Sequence, residues 1–296
     1  MIEKAMLLVL GGLSVLLALG QHGASAGGDE VGFLGRKESW DYAPAMGQVA
    51  ENFTGTEGMV LHLGDSITYA SPYTAWARVG RGKKPEEEAI LRWSHCGERN
   101  DLDGWYLASH DVAEGRSYTA ASGVRSDQYL AGGFKGLPSL EEIIRRYNPQ
   151  VAVVMLGTND AWQGRAVEEY AADIERIVSR LLDNGTVVIL STIPPLVVNP
   201  MLAERYNGEL WKVGERHKLP MIDYYGEIAA RRPGMSWDGT LLEKGDPHPT
   251  ASRAGVTPES EPTRESLRES GYLLRGWLSV RKLVEVKERV WGARGG

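Results

Sequence analysis

Two continuous apolar runs near the middle of the chain restrict the fold more than any other feature. Residues 151–156 and 187–190 contain only apolar side chains, most of them valine, leucine or isoleucine. Such runs are typical of strands buried on both faces of a parallel sheet. Residues 167–182, which lie between them, place apolar side chains at helical spacing: Tyr170, Ile174, Ile177 and Leu181. The pattern therefore predicts a strand–helix–strand unit.

Shorter runs continue this alternation along the chain. Strands are predicted at residues 59–63, 118–121 and 221–222, and helices at residues 140–147, 201–217 and 263–291. Short apolar strands that alternate with helices indicate an α/β fold with a parallel sheet covered by helices on both faces. In such folds the active site lies at the carboxyl ends of the strands.

The first 26 residues have the features of a secretory signal peptide. Lys4 precedes an apolar run at residues 5–19, and Ala24-Ser25-Ala26 matches the small-residue pattern of a cleavage site. The run is short for a bilayer span, so we expect cleavage after Ala26 and a secreted or periplasmic protein without membrane insertion. An uncleaved anchor is the alternative. Residues 27–57 are interpreted as an N-terminal arm and residues 58–296 as the folded domain.

Composition excludes several classes of protein. The 296 residues carry a net charge of −6 at pH 7, which gives no support for a nucleic-acid partner. Cys96 is the only cysteine, so an intrachain disulfide and a zinc site built on several cysteines are excluded. No Cys/His cluster suggests a cofactor, and neither a cofactor nor a metal is expected.

Polar motifs follow the predicted strands at the point where each strand ends. They are GDSIT at residues 64–68, ASGVRS at 121–126 and GTND at 157–160, with DPHPT at 246–250 near the C-terminus. Each motif by itself is compatible with an ordinary turn or helix cap. Their order at the ends of successive strands is far more specific.

These four motifs resemble the blocks of the SGNH hydrolases, also called the GDSL esterase/lipase family. The residues that carry the resemblance are Ser66, Gly123, Asn159 and His248. The resemblance covers about residues 58–250. It implies a three-layer α/β/α sandwich with a parallel, flavodoxin-like sheet, and the predicted elements agree with that architecture.

The resemblance also implies a serine esterase that works through an acyl-enzyme without a cofactor. Ser66 would be the nucleophile and His248 the base that takes its proton. The backbone N–H groups of Ser66 and Gly123, with the side-chain amide of Asn159, would form the oxyanion hole.

The acid of the expected triad departs from the family pattern. The family usually places it three residues before the histidine, where this chain has Gly245. Asp246 lies two residues before His248, and side chains at i and i+2 of an extended segment point to the same side. Pro247 favours that conformation, so we expect Asp246 to be the acid. Asp238, a shifted loop register or a Ser–His dyad without an acid are the alternatives.

Three tryptophans are candidate substrate-lining residues because they lie in or near loops beside the motifs: Trp105, Trp162 and Trp237. Together with the expected export, they favour small acyl groups, such as acetyl, on carbohydrate. The expected partner is therefore a small-molecule or polysaccharide ester, and the sequence contains no signal for an oligomeric state.

Other functions remain open at this point. An acyltransferase or a lipase would use the same site. The shortened Asp–His spacing motivates a second hypothesis, a non-catalytic glycan-binding protein on this scaffold. A metal-dependent hydrolase built on Asp65, Asp160 and His248 is a weaker one, since no known ligand spacing is present. Residues 251–263, rich in Pro, Ser and Glu, are either a lid beside the site or a surface insertion.

Overall fold

The computed structural model describes residues 31–292 and contains one parallel sheet. The predicted signal peptide lies outside the described residues. The four strands follow the order β1-β2-β3-β4 and are entirely buried: β1 (Val60–Gly64), β2 (Val151–Met155), β3 (Val187–Ser191) and β4 (Met221–Ile222). In register, Val60 lies beside Val151, and Val151 beside Val187. The long apolar runs thus form the centre of the sheet, as their composition predicts.

Helices cover both faces of the sheet, which confirms the predicted α/β class. In chain order they are α1 (Ala43–Glu51), α2 (Ser66–Tyr69), α3 (Ser71–Val79), α4 (Pro85–Trp93), α5 (Gly104–Ser109), α6 (Ser126–Ala131), α7 (Leu140–Tyr147), α8 (Thr158–Trp162), α9 (Val167–Asp183), α10 (Pro200–His217), α11 (Tyr224–Arg231) and α12 (Gly271–Trp291). Helices α6, α7, α9 and α10 pack together in one layer, and α1, α3, α4 and α12 pack in the other.

The predicted strand at residues 118–121 is wrong. Only Ala120 pairs with the sheet, through an isolated parallel bridge to Gly64. The Ser117 N–H bonds to the Ala120 carbonyl, and the Ser117 hydroxyl accepts the N–H groups of Thr119 and Ala120. This serine-anchored turn uses the backbone groups that a strand would need.

The last helix is shorter than predicted. Residues 263–270 form a turn around a short 3₁₀ segment, Ser266–Arg268, in which Thr263 and Ser266 exchange side-chain-to-backbone hydrogen bonds. Helix α12 begins at Gly271, where the Ser270 hydroxyl caps the N–H of Leu273 at 3.2 Å. Local Ser and Thr hydrogen bonds therefore replace the first two helical turns.

The described part of the predicted N-terminal arm packs against the domain. Tyr42 and Met46 are buried, and the Tyr42 hydroxyl donates to Glu285 of α12 at 2.7 Å. The N–H groups of Leu34 and Gly35 donate to Glu227 of α11. Among residues 31–292, no helix is both long and apolar enough to cross a bilayer.

Candidate active site

Ser66 stands at the carboxyl end of β1, as the first residue of the one-turn helix α2. The preceding Asp65 is fully buried and accepts the N–H of Ile67 at 3.0 Å, which caps the helix. Burial raises the pKa of Asp65, opposed by the Ile67 hydrogen bond and the charge of Arg275. Ser66 itself is partly exposed. The sharp passage from strand to helix therefore presents its hydroxyl at the rim of the sheet.

His248 and Asp246 complete a chain of hydrogen bonds from Ser66. Nε2 of His248 lies 2.8 Å from the Ser66 Oγ, and Nδ1 of the same ring is hydrogen-bonded to the Asp246 carboxylate. Asp246 also accepts the backbone N–H of His248 at 2.7 Å. The structure thus brings together the three residues expected from the motifs, in the order that a Ser-His-Asp triad requires.

The loop before His248 explains why the acid stands one residue later than usual. Gly245 has φ +73°, a conformation that favours glycine over aspartate. Its N–H donates to Asp238 Oδ1 at 2.7 Å, so the alternative acid Asp238 serves to hold this turn. The Asp246 N–H and the Glu243 carbonyl close the turn at 3.1 Å. This backbone geometry directs Asp246 to the histidine ring.

Two candidate oxyanion donors are backbone N–H groups. Gly123 has φ +88°, a conformation that glycine adopts without the steric cost of a Cβ. Ser66 occupies the first position of α2, where the N–H has no acceptor within the helix. Within residues 31–292, neither N–H donates to another protein group. Both are therefore free to bind a developing negative charge.

Asn159 lies in α8, directly after β2, and its side-chain amide is held by two acceptors. Nδ2 donates to the Val124 carbonyl at 3.1 Å and to Asp65 Oδ2 at 3.3 Å. The amide is thereby fixed between the motif of Gly123 and that of Ser66. An oxyanion would take over the hydrogen that now makes the longer contact with Asp65.

A buried ion-pair network, missed at the level of the sequence, joins two of the motifs. Asp160 is fully buried and accepts the N–H of Ser126 at 3.0 Å and its hydroxyl at 2.7 Å. The Arg165 guanidinium lies 2.9 Å from the same carboxylate and 2.6 Å from Asp173. Burial lowers the pKa of Arg165, but these hydrogen bonds raise it above its usual value overall. Asp160 is thus a brace between the motifs.

The hydrogen-bond partners of Asp65, Asp160 and His248 argue against the hypothesis of a metal-dependent hydrolase. Asp65 caps α2 and contacts Asn159, Asp160 bonds to Ser126 and Arg165, and His248 bonds to Ser66 and Asp246. In the part of the chain that the structure describes, no group of three or more His, Cys, Asp or Glu side chains could hold a metal ion.

The tryptophan expectations are partly wrong. Trp105 is fully buried and packs on His62, with 4.0 Å between ring centroids, and Trp237 is 4% exposed. Both belong to the core: Trp105 lies on the buried side of helix α5, and Trp237 lies in a turn whose side chain is buried. Trp162 is 47% exposed and lies three residues after Asn159. Phe134, which the sequence analysis overlooked, lies beside the site: its ring would be 3.7 Å from a Cβ on Gly123.

Residues 251–263 are tied down by contacts with the rest of the domain. The Glu259 carbonyl accepts the N–H of Arg81 at 2.9 Å, and Arg253 pairs with Glu269. Arg253 and Val256 form a small antiparallel bridge. The segment is therefore a structured insertion that packs against the rest of the domain.

Comparison with known proteins shows similarity to a family of lipases and acylhydrolases. Residues 62–252 match the GDSL-like Lipase/Acylhydrolase family. An arylesterase from Vibrio mimicus is 22% identical over 142 residues, which cover 47% of this chain and 68% of that protein. All four motif residues fall within the region that matches the family.

Solved structures with a similar fold include two described as lipases. A GDSL-like lipase from Bacteroides thetaiotaomicron is 15% identical, with 86% of this chain and 100% of that one covered at a TM-score of 0.46. A lipase/acylhydrolase from Enterococcus faecalis is 17% identical, with 76% and 95% covered at a TM-score of 0.44.

Proposed function

The chain belongs to the GDSL-like lipase/acylhydrolase family of serine ester hydrolases, and from that premise we propose that Ser66, His248 and Asp246 carry out the hydrolysis. The observation that carries the proposal is the unbroken series of hydrogen bonds from Ser66 through His248 to Asp246. A serine hydroxyl becomes an effective nucleophile only when a base takes its proton.

Acylation begins when the Ser66 Oγ attacks the ester carbonyl and His248 Nε2 accepts the hydroxyl proton. The carbonyl oxygen becomes negative and binds to the N–H groups of Ser66 and Gly123 and to the Asn159 amide. Each donor of this kind contributes about 2.7–4 kcal/mol to transition-state stabilisation. Asp246 holds the ring of His248 in the required tautomer and stabilises the imidazolium.

The tetrahedral intermediate then collapses. His248 returns the proton to the leaving alcohol, and the C–O bond to that alcohol breaks. Water attacks the acyl-enzyme with His248 as the base, and Ser66 leaves with the proton. Each half-reaction consists of an attack in which His248 takes a proton and a collapse in which His248 returns it, so no further group is needed.

We also propose small acyl groups on carbohydrate as the substrate. The leaving alcohol lies on the side of His248, which must protonate it, and His248 belongs to the loop held by α12. The acyl group then points to the opposite layer, where Phe134 follows α6 and limits the space beside Gly123. The exposed ring of Trp162 near Asn159 offers an apolar face for a sugar.

Export to a secreted or periplasmic location is part of this proposal. It rests on the signal-peptide pattern of residues 1–26. The glycan-binding alternative was based on the shortened spacing between Asp246 and His248. Asp246 is nevertheless hydrogen-bonded to the His248 ring, so that reason no longer holds. The site retains every group that ester hydrolysis requires.

Hydrolysis of 4-nitrophenyl acetate by the purified protein tests the reaction. We expect Ser66→Ala to lower kcat by about 10³-fold or more, because the nucleophile is lost. Ser71→Ala, at the exposed first position of the next helix, is the matched control and should retain the parent rate. Equal rates for the parent and Ser66→Ala would overturn the proposal.

The substrate class needs its own comparison. We expect 4-nitrophenyl acetate to be a better substrate, by kcat/KM, than 4-nitrophenyl octanoate, which has the same leaving group, and we expect acetylated monosaccharides and xylo-oligosaccharides to be hydrolysed. A preference for the octanoate ester would overturn the small-acyl proposal without affecting the assignment of Ser66.

A further inference from the structure

The helix that carries Ser66 is held at both ends by charged side chains. Helix α2 has only four residues, too few to be stable without outside support. Asp65 caps its N-terminus. At the other end, Arg275 of α12 donates from Nη1 to the Ile67 carbonyl and from Nη2 to the Thr68 hydroxyl, both at 2.7 Å. The two charges have the signs that favour a helix dipole.

Arg275 is an unusual group to find in the core. The residue is 4% exposed, and its guanidinium stacks on Tyr73 with 3.8 Å between Cζ and the ring centroid. Its guanidinium donates to two neutral oxygens, those of Ile67 and Thr68, and among residues 31–292 it forms no salt bridge within 4 Å. Burying a cation without a salt bridge is costly, even with the charge of Asp65 nearby, so its contact with the nucleophile turn needs an explanation.

The same end of α12 also holds the loop of His248. Thr250, two residues after His248, accepts the N–H of Gly271 on its hydroxyl and the N–H of Tyr272 on its carbonyl, both at 3.2 Å. The Ser270 hydroxyl donates to the Ala251 carbonyl at 2.7 Å. Gly271 packs so closely that a Cβ would lie 2.0 Å from the Leu241 carbonyl.

The nucleophile and the base are therefore fastened to one rigid element. Ser66 and His248 are 182 residues apart in the chain, and their hydrogen bond depends on two loops that meet only in the folded state. Residues 270–275 bind the His248 loop at one end and the Ser66 turn at the other. A helix keeps the separation of such contacts constant along its length.

We propose that the first turns of α12 set the distance between Ser66 and His248, and that Arg275 is the positioning residue on the Ser66 side. This inference rests on the proposed function. Arg275 touches neither Ser66 Oγ nor the oxyanion donors, so it acts through the backbone of Ile67 and the side chain of Thr68. Losing it frees the nucleophile turn while the substrate site keeps its lining.

The test compares Arg275→Met with a variant of a second buried arginine. Arg231 is 3% exposed and pairs with Glu227 within α11, away from the Ser66 turn, so Arg231→Met is the matched control. A displacement of about 1 Å in a catalytic group costs about 10²-fold in rate, so we expect a loss of that order in kcat for Arg275→Met. KM should change little, and Arg231→Met should lower the melting temperature without a comparable loss of kcat.

Two milder variants keep the test informative if Arg275→Met folds poorly. Lysine at position 275 supplies a charge but reaches only one of the two acceptors, so Arg275→Lys should lie between the parent and Arg275→Met in kcat. Thr68→Val removes one acceptor at nearly constant volume and should lower kcat several-fold. The proposal is overturned if these variants melt below the parent but keep its kcat.

A readout independent of activity is the crystal structure of Arg275→Lys. We expect the distance from Ser66 Oγ to His248 Nε2 to exceed the 3.5 Å limit of a hydrogen bond. An unchanged hydrogen bond would overturn the positioning role. If the parent protein itself lacks Ser66-dependent hydrolysis, the proposed function fails, while this distance still decides whether α12 sets the geometry.

Discussion

The Asp246 carboxylate binds two groups of His248, the backbone N–H and the ring Nδ1. This double contact holds both the loop and the ring in place, although only Pro247 separates Asp246 from His248. The acid of the triad thus comes from an unusual position while the ring receives the usual hydrogen bond.

Asp246→Asn should reduce kcat strongly, because the amide can support the wrong tautomer of His248. The loss in a buried triad is about 10⁴-fold. Asp246 is 48% exposed in its side chain, so water can substitute in part and we expect a smaller loss here. Steady-state kinetics on 4-nitrophenyl acetate measure it. Asp238→Asn is the comparison, and a larger loss there would make Asp238 the functional acid.

Moving the acid to the usual family position should not restore activity. Gly245 adopts φ +73°, where a side chain costs about 1 kcal/mol or more. We expect the double variant Gly245→Asp with Asp246→Gly to melt below the parent and to be as slow as Asp246→Asn. Recovery of the parent kcat in the double variant would show that the loop can adopt either register.

Removal of Phe134 should broaden the acyl specificity. The ring lies beside Gly123, so Phe134→Ala opens space next to the carbonyl. We expect the ratio of kcat/KM for the butanoate ester to that for the acetate ester to rise about tenfold, the effect of a methylene or two in a pocket. Phe53→Ala is the control, since the Phe53 ring lies against Gly55 in the loop before β1, at the opposite end of the strands from the site. An unchanged ratio in Phe134→Ala would contradict the role of the ring.

Buried His62 should make stability depend on pH in the acid range. Burial, followed by the charge of Arg275, lowers the pKa of His62 from 6.5 to about 3. Between these values the unfolded chain binds a proton that the folded protein does not, so stability falls as pH decreases from 6.5 towards 3. The slope from this group is at most about 1.4 kcal/mol per pH unit.

Urea unfolding at several pH values tests this expectation. His62→Gln should show a shallower loss of unfolding free energy between pH 6.5 and 4 than the parent. His110→Gln, at an exposed histidine, is the control and should follow the parent slope. Identical slopes for the parent and His62→Gln would contradict the low pKa.

Much of the fold was predictable because the relevant patterns are local. The runs at residues 151–156 and 187–190 became β2 and β3, since a stretch of valine and isoleucine is stable only when both faces are buried. The segment at 118–121 contains no valine or isoleucine, and the Ser117 hydroxyl competes for its backbone groups, so it forms only one bridge to the sheet.

The candidate site was likewise predictable where its residues lie in local motifs. The resemblance of four short motifs to the blocks of the SGNH family predicted Ser66, Gly123, Asn159 and His248 as site residues, and each motif follows a predicted strand or lies in the final loop. It predicted Asp246 as the acid, with Asp238, a shifted loop register or a Ser–His dyad as alternatives. In the structure Asp246 is hydrogen-bonded to the ring, while Asp238 accepts the N–H of Gly245, whose backbone is left-handed.

What the sequence by itself determined is the central strands, most of the helices and the four motifs, since these depend on neighbours a few positions away. The tertiary structure alone decided that Trp105 packs in the core, that Phe134 flanks Gly123 and that Arg275 grips the Ser66 turn from 209 residues away. Such contacts follow from how helices pack on the sheet, and no local spacing encodes them.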